Sequence, residues 1–164
     1  MTAKGTILVV DDSPVNLKLL VHTLTTNGYQ VLSADSGERA LAAVSAGLPE
    51  LILLDIRMPG LDGFEVCRRL RAQEGSRDIP VVFISASGER AERVEGLKLG
   101  AVDFITKPVQ REELLARVQT HLELRRLRVR LEQQADGLRQ ANEQLQRDII
   151  ERKRAEAERD QLIQ

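Results

Sequence analysis

A chain of 164 residues in which 24 Lys and Arg nearly balance 25 Asp and Glu has no basic field with which to hold nucleic acid or an anionic membrane. The single cysteine, Cys67, excludes an internal disulfide and fits a reducing compartment, while aromatics at 2 % and the lack of Trp exclude base-stacking platforms. No apolar run approaches the roughly 18 residues of a membrane span, and MTAKGTILVV lacks a signal peptide's hydrophobic stretch, so the expected location is cytoplasmic.

The first apolar run, residues 7–10, is Ile-Leu-Val-Val and ends in Asp11-Asp12. A short run that is apolar on both faces predicts a strand of a covered parallel sheet. Ser13 and Pro14 follow as N-cap and first helical residue, and Gly28 supplies a stop. Between them Leu17, Leu20, Val21 and Leu24 form an apolar stripe at helical spacing. Further strand-like runs at 31–34, 51–54, 81–84 and 103–106 alternate with helical segments at 36–45, 63–72 and 89–99. Gly47, Gly75 and Gly100 stand near the exits of those segments. Strands alternating with helices predict right-handed crossovers and a doubly wound α/β sheet.

After Pro108 the composition changes. From Gln110 to Gln164 there is no proline and Gly137 is the sole glycine, with Glu, Gln, Arg, Leu and Ala dominant. One helix is predicted, roughly 80 Å long if unbroken. Leu114, Leu115, Val118 and Leu122 make its first part apolar enough to pack on the sheet, and the remainder is too polar to be covered there. The expected organisation is a globular domain over 1–122 and a helix over 123–164 continuous with it. Leu124, Leu131, Leu138 and Leu145 recur every seven residues, with Leu127 and Ala141 at intervening positions. That is a coiled-coil seam, weakened by Gln134 and Asp148, and it predicts a parallel homodimer. Past Leu145 the phase slips, because Ile149 comes four residues later, and such an insertion locally unwinds a supercoil.

Polar residues at strand carboxyl ends matter because open α/β sheets bind ligands there. The first strand ends in Asp11-Asp12, the third in Asp55 (LILLDIRMPGLDG), the fourth in Ser85 (VVFISAS) and the fifth in Lys107-Pro108 (DFITKP). A parallel sheet puts all of them on one edge. Singly, each could cap a helix or solvate a loop. Together, three carboxylates about 5 Å apart would repel by roughly 3 kcal/mol per pair at an effective dielectric near 20. A divalent cation relieves that repulsion, and an oxygen-only set without His or Cys favours Mg²⁺.

With VVDD, LLDIRMPGLDG, ISA and TKP at this spacing, residues 5 to 122 resemble the receiver domain of two-component response regulators. The resemblance implies a flavodoxin-like five-stranded parallel sheet of order 2-1-3-4-5 with helices on both faces. It implies that Asp55 accepts a phosphoryl group from the phosphohistidine of a sensor histidine kinase or a phosphotransfer protein. Asp12, Asp55 and the backbone carbonyl of Arg57 would bind Mg²⁺, with Asp11 helping through a water. Lys107 would pair with one phosphoryl oxygen, Ser85 would hydrogen-bond another, and Phe104 would fill an aromatic switch position. Phe104 has no hydroxyl, so its switch would be steric only. A cis peptide before Pro108 belongs to the same pattern. The chain would act on its own phosphorylation and dephosphorylation rather than as an enzyme on other substrates. The tail resembles the signalling helices that join receivers to output domains.

Other residues carry less. A haloacid-dehalogenase-like phosphatase also uses an Asp nucleophile with Mg²⁺, but DDSP lacks that family's second acid two residues after the first. His121 in THLELRR only loosely resembles a phosphohistidine motif and is expected on a helix surface or in ordinary packing. His22 is expected to be solvated or half-buried, and Cys67 to be a small core residue. The basic clusters RRLRVR and RDIIERKR carry interleaved acids and read as coiled-coil flanks. Arg57 and Ser87, each two residues beyond a strand-end residue, are expected at the mouth of the site, where they would affect water's access to an acyl phosphate.

Overall fold

A computed structural model describes residues 3–163; residues 1–2 and 164, the outermost positions of the two expected units, lie outside it. The apolar runs become β1 (Thr6–Val10), β2 (Gln30–Ala34), β3 (Leu51–Asp55), β4 (Val81–Ser85) and β5 (Asp103–Thr106). All pair in parallel, in the order β2-β1-β3-β4-β5. Four strands run one residue further than the apolar pattern predicts, to Thr6, Gln30, Asp55 and Ser85. The ladder, not hydrophobicity, sets those ends: Asp55 pairs with Ile84 and Ser85 with Thr106. Both polar residues are thus still held by the sheet. β2 and β5 are the edge strands, and Gln30, Leu32 and Ser33 on β2 are exposed.

Strand geometry sends successive side chains to opposite faces, which splits each buried run between two cores. Leu8, Val10, Ile52, Leu54, Val81 and Phe83 point to one face. There they meet α2 (Gly37–Ala46) through Ala40 and Val44, and α3 (Gly63–Ala72) through Val66, Cys67 and Leu70. Ile7, Val9, Leu51, Leu53, Val82 and Ile84 point to the other. That face is covered by α1 (Pro14–Thr26) through Leu20 and Leu24, and by α5 (Arg111–Ile163) through Leu114, Val118 and Leu122. Leu17 and Leu115 pack at the margin of this core. The inner strands β1, β3 and β4 therefore need no polar alternation, since both faces are covered there.

The helix starts follow capping chemistry. Ser13 Oγ accepts from Asn16 N at 3.4 Å, Ser36 Oγ from Arg39 N at 3.2 Å, and Asp62 Oδ1 from Glu65 N at 2.9 Å. Ser36, expected inside a helix, is instead its cap. α4 (Arg90–Lys98) is the exception, because Glu89 at its N-cap makes no side-chain cap bond. The first residue of α3 lies against the exit of β3, and Gly63 N donates to Ile56 O at 2.8 Å. A Cβ at Gly63 would stand 2.3 Å from the backbone oxygen of Asp55, and neither partner is a flexible side chain. Gly63→Ala is expected to lower stability by about 2–3 kcal/mol, the upper range for overpacking. Urea denaturation checks it, and an unchanged midpoint would contradict so close an approach.

α5 is 53 residues long and passes Gly137 without a break. The residues up to Glu123 belong to the compact unit built on the sheet, and those from Leu124 onward form a second unit. In that second unit Leu124, Leu131, Leu138 and Leu145 are all more than half exposed. Its ion pairs run along the helix itself, as in Arg128–Glu132 at 3.4 Å. Among the described residues no helix is long and apolar enough to cross a membrane.

Candidate functional site

The carboxyl ends of β1 and β3 bring Asp11, Asp12 and Asp55 together, with one carboxylate oxygen of each lying within 4.8 Å of the others. Asp11 is wholly buried and Asp55 nearly so, while Asp12 is exposed. Lys107, just past β5, reaches both buried acids, its Nζ lying 3.4 Å from Asp11 Oδ2 and 3.3 Å from Asp55 Oδ2. Lys107 N donates to Ser85 O at 2.8 Å, which fixes the start of this loop, and the Lys107–Pro108 peptide is cis.

One ammonium does not neutralise three acids. Burial, and then the negative charge of Asp11, push the Asp55 carboxyl up to about 6, although Lys107 pulls the other way. Asp11 Oδ1 accepts from Ser13 N at 2.9 Å. Its Oδ2 is buried and accepts no hydrogen bond, although the Lys107 ammonium lies 3.4 Å away and is shared with Asp55. A buried, under-satisfied carboxylate oxygen is costly unless a cation completes it. The donor set is all oxygen and one acid opens to solvent, which fits a hard divalent ion that keeps part of its water.

The remaining candidates do not all converge on Asp55. Ser85 is buried, but its hydroxyl donates to Ser87 O and, at 3.4 Å, to Glu92 Oε1. The side chain of Arg57 is exposed and pairs with Glu92 Oε2 at 3.5 Å, and Ser87 Oγ lies 3.0 Å from that same oxygen. Glu92 was not visible as a site residue in the sequence; it is one of several acids in GERAERVEG, and only the docking of α4 selects it. Phe104 is buried, with its ring centroid 5.5 Å from that of Phe83. Gly96 makes room for it, since a Cβ there would stand 2.3 Å from Phe104 Cζ. Cys67 is a buried core residue and His22 is exposed.

His121 has a partner that local sequence did not offer. Its Nε2 lies 2.9 Å from Asp103 Oδ2, an oxygen that Arg117 also reaches at 2.6 Å. Burial tends to raise the Asp103 carboxyl, but His121, Arg117 and the Phe104 N–H outweigh it and hold it below the usual range. This cluster ties the start of β5 to α5, at the end of β5 opposite Lys107.

A five-stranded 2-1-3-4-5 sheet with an acid pocket and a lysine at its carboxyl edge defines a narrow class of signalling folds. The chain matches the response regulator receiver domain over residues 7–119. It is 49 % identical over 114 residues to the response regulator PleD of Caulobacter vibrioides, a match covering 70 % of this chain and 25 % of PleD. The chain spans between a quarter and about a half of the curated relatives it matches. Among solved structures, chemotaxis protein CheY4 of Vibrio cholerae superposes with a TM-score of 0.69 at 31 % identity, covering 73 % of this chain and 98 % of CheY4. The receiver domain of sensor histidine kinase PA1611 from Pseudomonas aeruginosa, which holds a magnesium ion in its active-site cleft, superposes at 0.69 with 33 % identity, covering 74 % and 99 %. This chain belongs to the response regulator receiver domain family.

Proposed function

We propose that the chain is a Mg²⁺-dependent phosphoacceptor that receives its phosphoryl group on Asp55 from a histidine kinase or phosphotransfer protein. The observation that carries the reading is the meeting of three carboxylates within 4.8 Å, with Lys107 Nζ 3.3 Å from Asp55 Oδ2. In the transfer, an Asp55 oxygen forms a bond to phosphorus as the bond from phosphorus to the donor imidazole nitrogen breaks. The electron pair leaves with the imidazole, which takes up a proton. Asp12, Asp55 and the Arg57 carbonyl would hold Mg²⁺, with Asp11 helping through a water, and the ion would supply positive charge for the phosphoryl oxygens. Lys107 supplies a compact positive charge at the atom that gains the phosphoryl group. Ser85 turns its hydroxyl to a second phosphoryl oxygen, and Phe104 follows as a steric switch. Hydrolysis of the acyl phosphate resets the chain.

The tail completes the reading. Its exposed leucine row serves as the seam of a parallel homodimer. The receiver over 1–122 and the helix over 123–164 act as input and transmitter.

Acetyl phosphate and Mg²⁺ test the central step. A stoichiometric, metal-dependent adduct is expected by intact mass, and turnover of phosphomonoesters without one would favour a phosphatase. The roles also separate. Asp12→Ala is expected to weaken Mg²⁺ binding and to lose phosphorylation with it, because one ligand carries both. Lys107→Ala is expected to lose phosphorylation while sparing or raising Mg²⁺ affinity, because a cation beside the two buried acids has gone. Equal loss of metal binding in both variants would contradict this division.

A further inference from the structure

α4 has little apolar anchoring on the sheet. Gly96 is its only buried residue, Val94 and Leu97 are exposed, and its N-cap makes no side-chain bond. What ties it down is polar. Arg93 reaches Thr106 Oγ1 at 3.3 Å, and Glu95 pairs with Arg68 at 3.5 Å across exposed surface, where such pairs contribute little. The remaining tie is Glu92, whose carboxylate is the most sheltered of the α4 charges, its side chain only 13 % exposed. It collects Ser85 Oγ at 3.4 Å, Ser87 Oγ at 3.0 Å and the Arg57 guanidinium at 3.5 Å. Ser87 Oγ in turn accepts from Glu89 N at 3.3 Å, so the same network supports the uncapped start of α4.

We infer that Glu92 is a positioning residue that competes with the phosphoryl group for Ser85 and so couples the state of Asp55 to the docking of α4. The inference rests on the phosphoacceptor reading of Asp55. A serine hydroxyl has one proton to donate, and here Glu92 and the Ser87 carbonyl share it. A phosphoryl group on Asp55 is a rival acceptor, and it brings a charge of about −1.5 to −2 to the end of β3, the strand paired with the one that ends in Ser85. When Ser85 turns to it, Glu92 loses a donor and gains an anionic neighbour. Both changes loosen the first turn of α4. By the same competition, Glu92 in place lowers the site's affinity for a phosphoryl group.

Beryllofluoride with Mg²⁺, titrated against the full chain, reads the competition directly. Glu92→Gln keeps the shape but makes the bond to Ser85 a neutral one, about half as strong. It is expected to tighten beryllofluoride binding by about three- to tenfold, and most of that gain should vanish when Ser85→Ala is combined with it, the signature of coupling between the two side chains. Amide exchange supplies a second readout. Adduct formation in the wild type should speed exchange over residues 90–94, and Glu92→Ala should show the faster rate before any adduct forms. Unchanged or weaker binding in Glu92→Gln, or a gain that persists in full without Ser85, would overturn the inference. A wild-type chain that takes no adduct at all would instead overturn the phosphoacceptor reading beneath it.

Discussion

Asp55→Asn is expected to end phosphorylation altogether and, at neutral pH without metal, to leave the chain more stable than the wild type. Both effects come from one carboxylate. Asp55 is buried beside Asp11, and its pKa in the folded chain rises from 3.8 to about 6. Between those values the unfolded chain has released the proton while the folded chain still holds it. Stability therefore falls as pH rises from about 4 to about 6, and the full penalty persists above that. A gap of about two pH units sets a ceiling near 3 kcal/mol, so a gain of about 1–3 kcal/mol is expected from the neutral amide at pH 7.5. Below pH 4 the two chains should converge. Lys107 keeps a charged partner in the variant, because Asp11 lies 3.4 Å away. Mg²⁺ should reverse the order of stability, since the wild type gains from binding what the variant cannot. Urea denaturation at pH 4, 6 and 7.5, with and without Mg²⁺, checks all of this. A variant that is less stable at pH 7.5, or that gains equally at every pH, would contradict an ionised, repelled Asp55.

Loss of the tail seam should have an effect as large on assembly. The full chain is expected to sediment as a dimer at tens of micromolar, and residues 1–122 as a monomer or a dimer at least about a hundredfold weaker. Truncation removes more than the seam, so Leu131→Glu combined with Leu138→Glu supplies the sharper comparison. Both leucines are more than half exposed in the single chain, and charge there costs the isolated helix little. Paired in a seam, four like charges would be buried against one another. The double variant should stay folded, keep its phosphorylation and sediment as a monomer. A dimer of undiminished strength in that variant would place the contact elsewhere. A wild-type chain monomeric at the same concentration would remove the seam from the account of signalling.

The fold was legible because its three inner strands, β1, β3 and β4, are buried on both sides. Runs such as Leu51–Leu54 carry no polar residue to blur their limits, and the strand ends missed were those where a polar residue, Thr6, Gln30, Asp55 or Ser85, still belongs to the ladder. The acids at the carboxyl edge were legible for a related reason: carboxylates directly after buried strands have few structural uses. Their inequality was not. Nothing in Asp11-Asp12 says that the first is wholly buried and the second exposed, because that depends on how the chain turns into α1. Glu92 and the Asp103–Arg117–His121 cluster were hidden for another reason. Their partners lie on other elements, with Asp103 18 positions before His121. No spacing rule within one helix or strand reaches across that distance.

Every step proposed for this chain needs the phosphoryl group to reside on Asp55. Reductive trapping measures it most directly: borohydride converts an aspartyl phosphate to homoserine, and peptide mapping then reads its position. After treatment with acetyl phosphate and Mg²⁺, homoserine is expected at position 55 alone, and at no position when Mg²⁺ is chelated. Homoserine at 11 or 12, or a stable adduct on His121 with position 55 untouched, would contradict it.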